Sequence, residues 1–96
     1  MKVIWRKQAE DDLGEVFDYI SEDDPQAAWR IYQTIRRQVE YLKEQPHLGR
    51  SGRVENTREL VVAGTPYIVA YTVDTRIGAV IILRVIHGRR QWPESL

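Results

Sequence analysis

Two hydrophobic periods divide this 96-residue chain, and the switch between them restricts the fold more than any other feature. From Lys7 onward Ala9, Leu13, Val16, Phe17 and Ile20 recur at helical spacing, while Glu10, Asp11, Asp12, Glu15, Asp18 and Glu22 fill the rest of the wheel. This pattern predicts an amphipathic helix with an acidic outer face. Asp24-Pro25 then supplies an N-cap and a proline at the first helical position, where the missing amide costs nothing. A second helix carries Ala28, Ile31, Tyr32, Ile35, Val39 and Leu42 on one side. It must stop near Gln45, because Pro46 disfavours helix before it. The Ser21 to Asp24 link is short enough to make the pair an antiparallel helical hairpin.

Beyond a polar loop, His47 to Thr57, broken by Gly49, Ser51, Gly52 and Asn56, the period falls to two. Strands are predicted at Arg58 to Val62, Tyr67 to Val73 and Ala79 to Ile86, with connections of hairpin length. In the middle strand Tyr67, Val69, Tyr71 and Val73 share one face, and Ile68, Ala70 and Thr72 the other. The last strand is apolar on both faces apart from Arg84, which places it centrally in a sheet. Val3-Ile4-Trp5 is a short strand ahead of the first helix. The expected architecture is α+β, β-α-α-β-β-β: one domain spanning residues 1–96, an antiparallel sheet with the helical hairpin on one face. The opposite face is left for a partner.

Several function classes drop out on composition. A chain of this size builds one core but no enclosed pocket of its own, so functional surfaces should be shallow. There are no cysteines, hence no disulfides, thiolate catalysis or cysteine-ligated zinc. No stretch approaches the roughly 20 apolar residues that span a bilayer, and the start Met1-Lys2-Val3 leads into structure with no signal core. The expectation is a cytoplasmic protein without membrane contact. Two isolated histidines and scattered carboxylates give no metal-ligand spacing, and no glycine-rich phosphate loop or nucleophile elbow is present, so neither metal nor cofactor is implied. The acidic run of the first helix reads as a solvated face.

Net charge is zero, but the halves differ. Residues 1–48 hold 7 Lys/Arg against 10 Asp/Glu, net −3, and residues 49–96 hold 7 Arg against 4 acids, net +3. Arginine's planar fork binds carboxylates or phosphates two bonds at a time, which suits a recognition surface, although a bias of arginine over lysine also follows from genome composition. The cations converge on Leu83 to Trp92, LRVIHGRRQW, which sets Arg84, His87, Arg89 and Arg90 at the end of an apolar strand. His87 reads as a general base with Arg84, Arg89, Arg90 and Arg58 neutralising a phosphate, or as a hydrogen-bonded strand-end residue. Arg84 alternatively pairs with an acid of the first helix. Trp92 either packs on the domain or anchors a partner. His47, in the loop, carries no role.

The order of elements and the segments AEDDLGEVFDYIS, DDPQAAWRIYQTI, YLKEQPHLGRSGRV, TRELVV, YIVAYTV and VIILRVIHGRR resemble the RelE/ParE superfamily of toxins from bacterial type II toxin-antitoxin modules. The resemblance covers nearly the whole chain, and its most specific parts are Pro46 to Arg50, Arg58-Glu59-Leu60 and Ile82 to Arg90. It implies a toxin neutralised by a cognate antitoxin whose extended segment wraps over hairpin and sheet, with homodimer and heterotetramer both open. RelE-like members are ribosome-dependent endoribonucleases that cut mRNA, whereas ParE-like members inhibit DNA gyrase. The ribonuclease branch carries basic residues where this chain has Arg58-Glu59-Leu60-Val61-Val62 and Pro66-Tyr67-Ile68-Val69, mostly acidic or apolar. A neutral chain also suits RNA poorly. The resemblance therefore favours the gyrase branch, with Arg84, His87, Arg89, Arg90 and Trp92 at the target surface together with Arg50 and Arg53. The nuclease alternative makes His87, Arg84 and Arg89 catalytic. A third reading is a member that binds its antitoxin and poisons nothing.

Overall fold

The computed structural model describes all 96 residues. Strand β1 (Lys2–Trp5) leads into helix α1 (Lys7–Ser21) and helix α2 (Pro25–Glu40), which continues as a 3-10 turn over Tyr41–Lys43. Strands β2 (Arg50–Ser51), β3 (Arg58–Val61), β4 (Tyr67–Asp74) and β5 (Ala79–His87) follow. The Asp24 carboxylate accepts the Ala27 N–H at 3.1 Å, so the N-cap before Pro25 is formed as its residue types require. The helical path ends at Lys43, two residues before Gln45.

The sheet order is β1-β5-β4-β3-β2. Three pairings are antiparallel, but β1 joins β5 in parallel, Lys2 opposite Ala79 and Trp5 opposite Ile82. The all-antiparallel expectation is corrected there. β1 must feed α1 back across the sheet face at once, and the rest of the chain then acts as one long crossover. A second correction is β2, which pairs Arg50 with Glu59 and Ser51 with Arg58 inside the segment expected to be loop. Strand β5 has neighbours on both sides from Ala79 to Ile82, as its apolar character on both faces requires.

One core fills the space between helices and sheet. Ala9, Leu13, Ile35, Val39 and Leu42 pack against Leu60, Val62, Tyr67, Val69, Tyr71, Val80, Ile82 and Val85. Between Ala70/Tyr71 and the facing strand the register slips by one, leaving Leu83 as the extra residue of a β-bulge. Without that bulge strict alternation would turn Val85 and His87 away from α1. With it, Val80, Ile82, Val85 and His87 share the helix side, and Arg84 and Ile86 the other.

The second face of the sheet is not left open. Ile68, Ala70, Leu83 and Ile86 are buried there, and the segment after β5 turns back, Gly88 donating its N–H to the Pro66 carbonyl at 2.8 Å. Trp92 and Pro93 border a shallow hollow with Arg84 and Ile86. No helix is long and apolar enough to cross a membrane.

Candidate functional site

Past Ile82, strand β5 loses its neighbour because β1 has ended, and α1 supplies a substitute. The Asp12 carboxylate accepts the Val85 N–H at 2.9 Å, satisfying an edge donor that a strand would otherwise take. The same carboxylate accepts Arg84 Nε at 2.7 Å and Nη2 at 3.2 Å. Arg84 starts on the second face and reaches round the sheet edge to do this. Its guanidinium is held more firmly protonated than usual by the Asp12 hydrogen bonds, against the opposing effect of burial. With a side chain only 17% exposed, Arg84 pairs with an acid of the first helix, one of its two sequence readings.

Arg50 and Arg53 also pair with a carboxylate, but their own side chains stay 55% and 45% exposed. The Glu59 side chain, 2% exposed, accepts Arg50 Nη2 at 3.0 Å, Arg53 Nε at 3.1 Å and the Arg53 backbone N–H at 2.8 Å. Burial pushes the Glu59 carboxyl upward, but the Arg53 amide and guanidinium and then Arg50 outweigh it and hold the group below its ordinary value. The Arg53 guanidinium also lies 3.9 Å from the centroid of the Trp92 ring. Trp92 is thus packed on its own domain, with a buried indole N–H that has no hydrogen-bond partner.

The loop between α2 and β3 is pinned from beneath. The Tyr71 hydroxyl donates to the Pro46 carbonyl and accepts the Gly49 N–H, both at 2.8 Å. Arg58 Nη1 donates to the Gly49 carbonyl at 2.7 Å and, more weakly, to that of His47 at 3.4 Å. Arg58 therefore secures the loop through carbonyl contacts.

His87 occupies the helix side at the end of β5. Its ring meets Tyr67 edge to face at 5.4 Å, above a hollow whose walls include Asp12, Glu15 and Tyr19 from α1. Nδ1 of His87 accepts the Arg89 N–H at 3.1 Å. The other ring nitrogen, Nε2, makes no hydrogen bond within the protein. Arg89 and Arg90 are exposed and make no side-chain hydrogen bond or ion pair. Arg90 borders both the His87 hollow and the Trp92 hollow.

The residues singled out in sequence thus separate into two groups. Arg50, Arg53, Arg84 and Trp92 gather on the second face, three of them engaged with buried carboxylates. Arg89 and Arg90 form the free cationic end, with His87 beside them. Asp12 and Glu59, which hold the arginines of the first group, and Tyr71, which pins the loop, were not among the sequence candidates.

Comparison with known proteins fits this architecture. The family model for the ParE toxin of the type II toxin-antitoxin system parDE matches residues 3–92. A protein of Sinorhizobium fredii named for a toxin role, Y4kP, is 41% identical over 95 residues, covering 99% of this chain and 96% of that protein. Toxin RelE2 of Caulobacter vibrioides is 36% identical over 89 residues, covering 93% and 97%. Among solved structures, the chromosomal ParDE system of P. aeruginosa superposes with a TM-score of 0.80 at 27% identity, covering 91% of this chain and 95% of the other. The RelBE2 toxin-antitoxin complex of Mycobacterium tuberculosis gives 0.68 at 27%, covering 90% and 95%. With the model spanning almost its entire length, the chain belongs to the ParE toxin family of type II toxin-antitoxin systems.

Proposed function

We propose that this toxin acts by binding and inhibiting DNA gyrase, using the free arginines Arg89 and Arg90 with His87 beside them, and that a cognate antitoxin neutralises it. One observation carries the reading: the arginines that a metal-independent ribonuclease would aim at a phosphate are already paired with groups of the protein itself, although Arg50 and Arg53 stay about half exposed. Arg84 is held by Asp12, Arg58 by loop carbonyls, and Arg50 and Arg53 by Glu59. Transition-state charge has to be met by a cation close to the reacting phosphate, and only Arg90 borders the hollow beside His87. Exposed, unpaired arginines beside a shallow hollow suit a protein surface instead. The antitoxin partner is supported by the ParDE and RelBE2 neighbours, which are themselves toxin-antitoxin systems.

The test uses toxin released from its antitoxin, assayed in parallel for gyrase supercoiling and for mRNA cleavage in a translating extract. Inhibited supercoiling with intact mRNA is expected. Cleaved mRNA with unaffected gyrase would refute the proposal and favour the ribonuclease reading, in which His87→Gln abolishes cleavage while antitoxin binding survives. Arrest of growth on induced expression separates both from a member that only binds antitoxin. Replacing Arg89 and Arg90 by alanine should weaken inhibition at least about tenfold, the scale of losing two charged interface contacts, with melting temperature nearly unchanged.

A further inference from the structure

The segment carrying the two free arginines has very little holding it. Gly88 bonds to Pro66, and the Arg89 and Arg90 amides bond back to His87, but past Arg90 the chain makes no hydrogen bond to the rest of the protein. Beyond that point Trp92, Pro93 and Leu96 are partly buried, and Trp92 is the large side chain among them. The indole N–H is buried and unpartnered, so hydrogen bonding does not hold the ring in place. Over its ring lies the Arg53 guanidinium, 3.9 Å from the centroid, and Arg84 and Ile86 line the hollow beside it.

Arg53 is itself immobilised. Its Nε and Nη2 and its own backbone N–H all donate to Glu59, at 3.1, 3.3 and 2.8 Å. Glu59 lies on strand β3, paired with Ala70 in the centre of the sheet. A rigid path therefore runs from the sheet through a buried carboxylate and a forked guanidinium to an indole, and ends at the tail. A two-point carboxylate contact fixes the plane of the guanidinium, which a lysine ammonium in the same place would not do.

We infer that Glu59 and Arg53 are positioning residues for target binding: they seat Trp92 so that the tail presents Arg89 and Arg90 in one orientation, without touching the target themselves. This rests on the reading of the tail as the target surface. Arg53 then contributes through preorganisation, sparing the complex the entropy of ordering the tail on binding.

The test labels the full-length toxin with 5-fluorotryptophan. The chain has 3 tryptophans, and the Trp92 signal in the ¹⁹F spectrum is assigned by its loss in Trp92→Phe. In Arg53→Ala the Trp92 signal should move toward the free-indole position and narrow, while those of Trp5 and Trp29 stay. Gyrase inhibition should weaken about tenfold, the scale of re-ordering one or two tail residues on binding. Arg53→Lys, which keeps the charge but not the planar fork, should fall between, and it stands in should the alanine variant fail to fold. A Trp92 signal unmoved in either variant overturns the clamp. A freed Trp92 with unchanged inhibition overturns the positioning role. Arg89→Ala/Arg90→Ala in the same assay tells the two levels apart. If that variant loses potency and Arg53→Ala does not, only this inference fails; if neither does, the tail reading fails with it.

Discussion

Gly49 offers the sharpest stability test, because its cost can be worked out from contacts on three sides. A β-carbon added there would lie 2.7 Å from both Cε1 and the hydroxyl oxygen of Tyr71 and 2.9 Å from the Glu59 carbonyl oxygen. None of these neighbours gives way easily. Tyr71 is fully buried, its hydroxyl is fixed by Pro46 and Gly49, and the Glu59 carbonyl belongs to the sheet. Gly49→Ala must therefore push the loop off the sheet. Overpacking costs about 1–3 kcal/mol. Losing one of the two hydroxyl bonds adds about 1 kcal/mol. The total is about 2–4 kcal/mol, and for a domain of this size that lowers the melting temperature by roughly 10–25 °C. Urea denaturation followed by circular dichroism measures the loss directly. Tyr71→Phe, which strands the Gly49 N–H and the Pro46 carbonyl, should cost about 1–3 kcal/mol. The double variant should cost less than the sum, because both changes break the same contact. A Gly49→Ala protein within 0.5 kcal/mol of wild type, a margin typical of neutral surface changes, would refute the idea that Tyr71 pins this loop.

Asp12→Ala should cost about 3–5 kcal/mol in the same denaturation assay, since it leaves the Arg84 charge half-buried and the Val85 N–H without an acceptor. Asp12→Leu/Arg84→Met, which removes both charges, should recover part of that loss, and a double variant no better than Asp12→Ala alone would show that the ion pair is not the cause. The Glu59 carboxyl has a folded pKa below its unfolded one, so its contribution is complete at neutral pH and is lost as pH falls below about 4.3 through the depressed folded value. Glu59→Gln should flatten that part of the acid-unfolding curve, and an unchanged curve would count against the pairing. Gly14 sits inside α1 with nothing within 4 Å of an added β-carbon, so Gly14→Ala should stabilise the fold by about 0.5–1 kcal/mol, read as a rise in melting temperature.

Much of the architecture was legible because it depends on local pattern. The helical hairpin follows from apolar spacing and the Asp24-Pro25 cap, and the two faces of β4 from simple alternation. The features that escaped depend on pairing between distant segments. Nothing local distinguishes a parallel β1 from an antiparallel one, and β2 exists only because Glu59 and Arg58 lie opposite it. The bulge at Leu83 arises from a mismatch between two strands, yet it decides which way His87 faces. Arg84 had been given two readings, and only the spatial approach of α1 chose the internal one. Asp12 did carry a signal: positions 9, 12, 13 and 16 are the inward stripe of α1, so an aspartate there asks for a buried cation. It was lost among four acidic neighbours on the same helix. Glu59 had no such marker, since a single acid in a strand next to an arginine looks like an ordinary surface pair.

The parallel pairing of β1 with β5 also bears on how the toxin comes into being. The first strand made must wait for the last, because Lys2 to Trp5 find their only sheet partners at Ala79 to Ile82. Such distant closure slows folding relative to a chain of local hairpins. A message cut short anywhere ahead of Ala79 yields a product whose opening strand has nothing to pair with and whose helices have no central strand to cover. Synthesis interrupted ahead of β5 therefore leaves fragments that cannot close the sheet, and the fold exists only once that strand has been made.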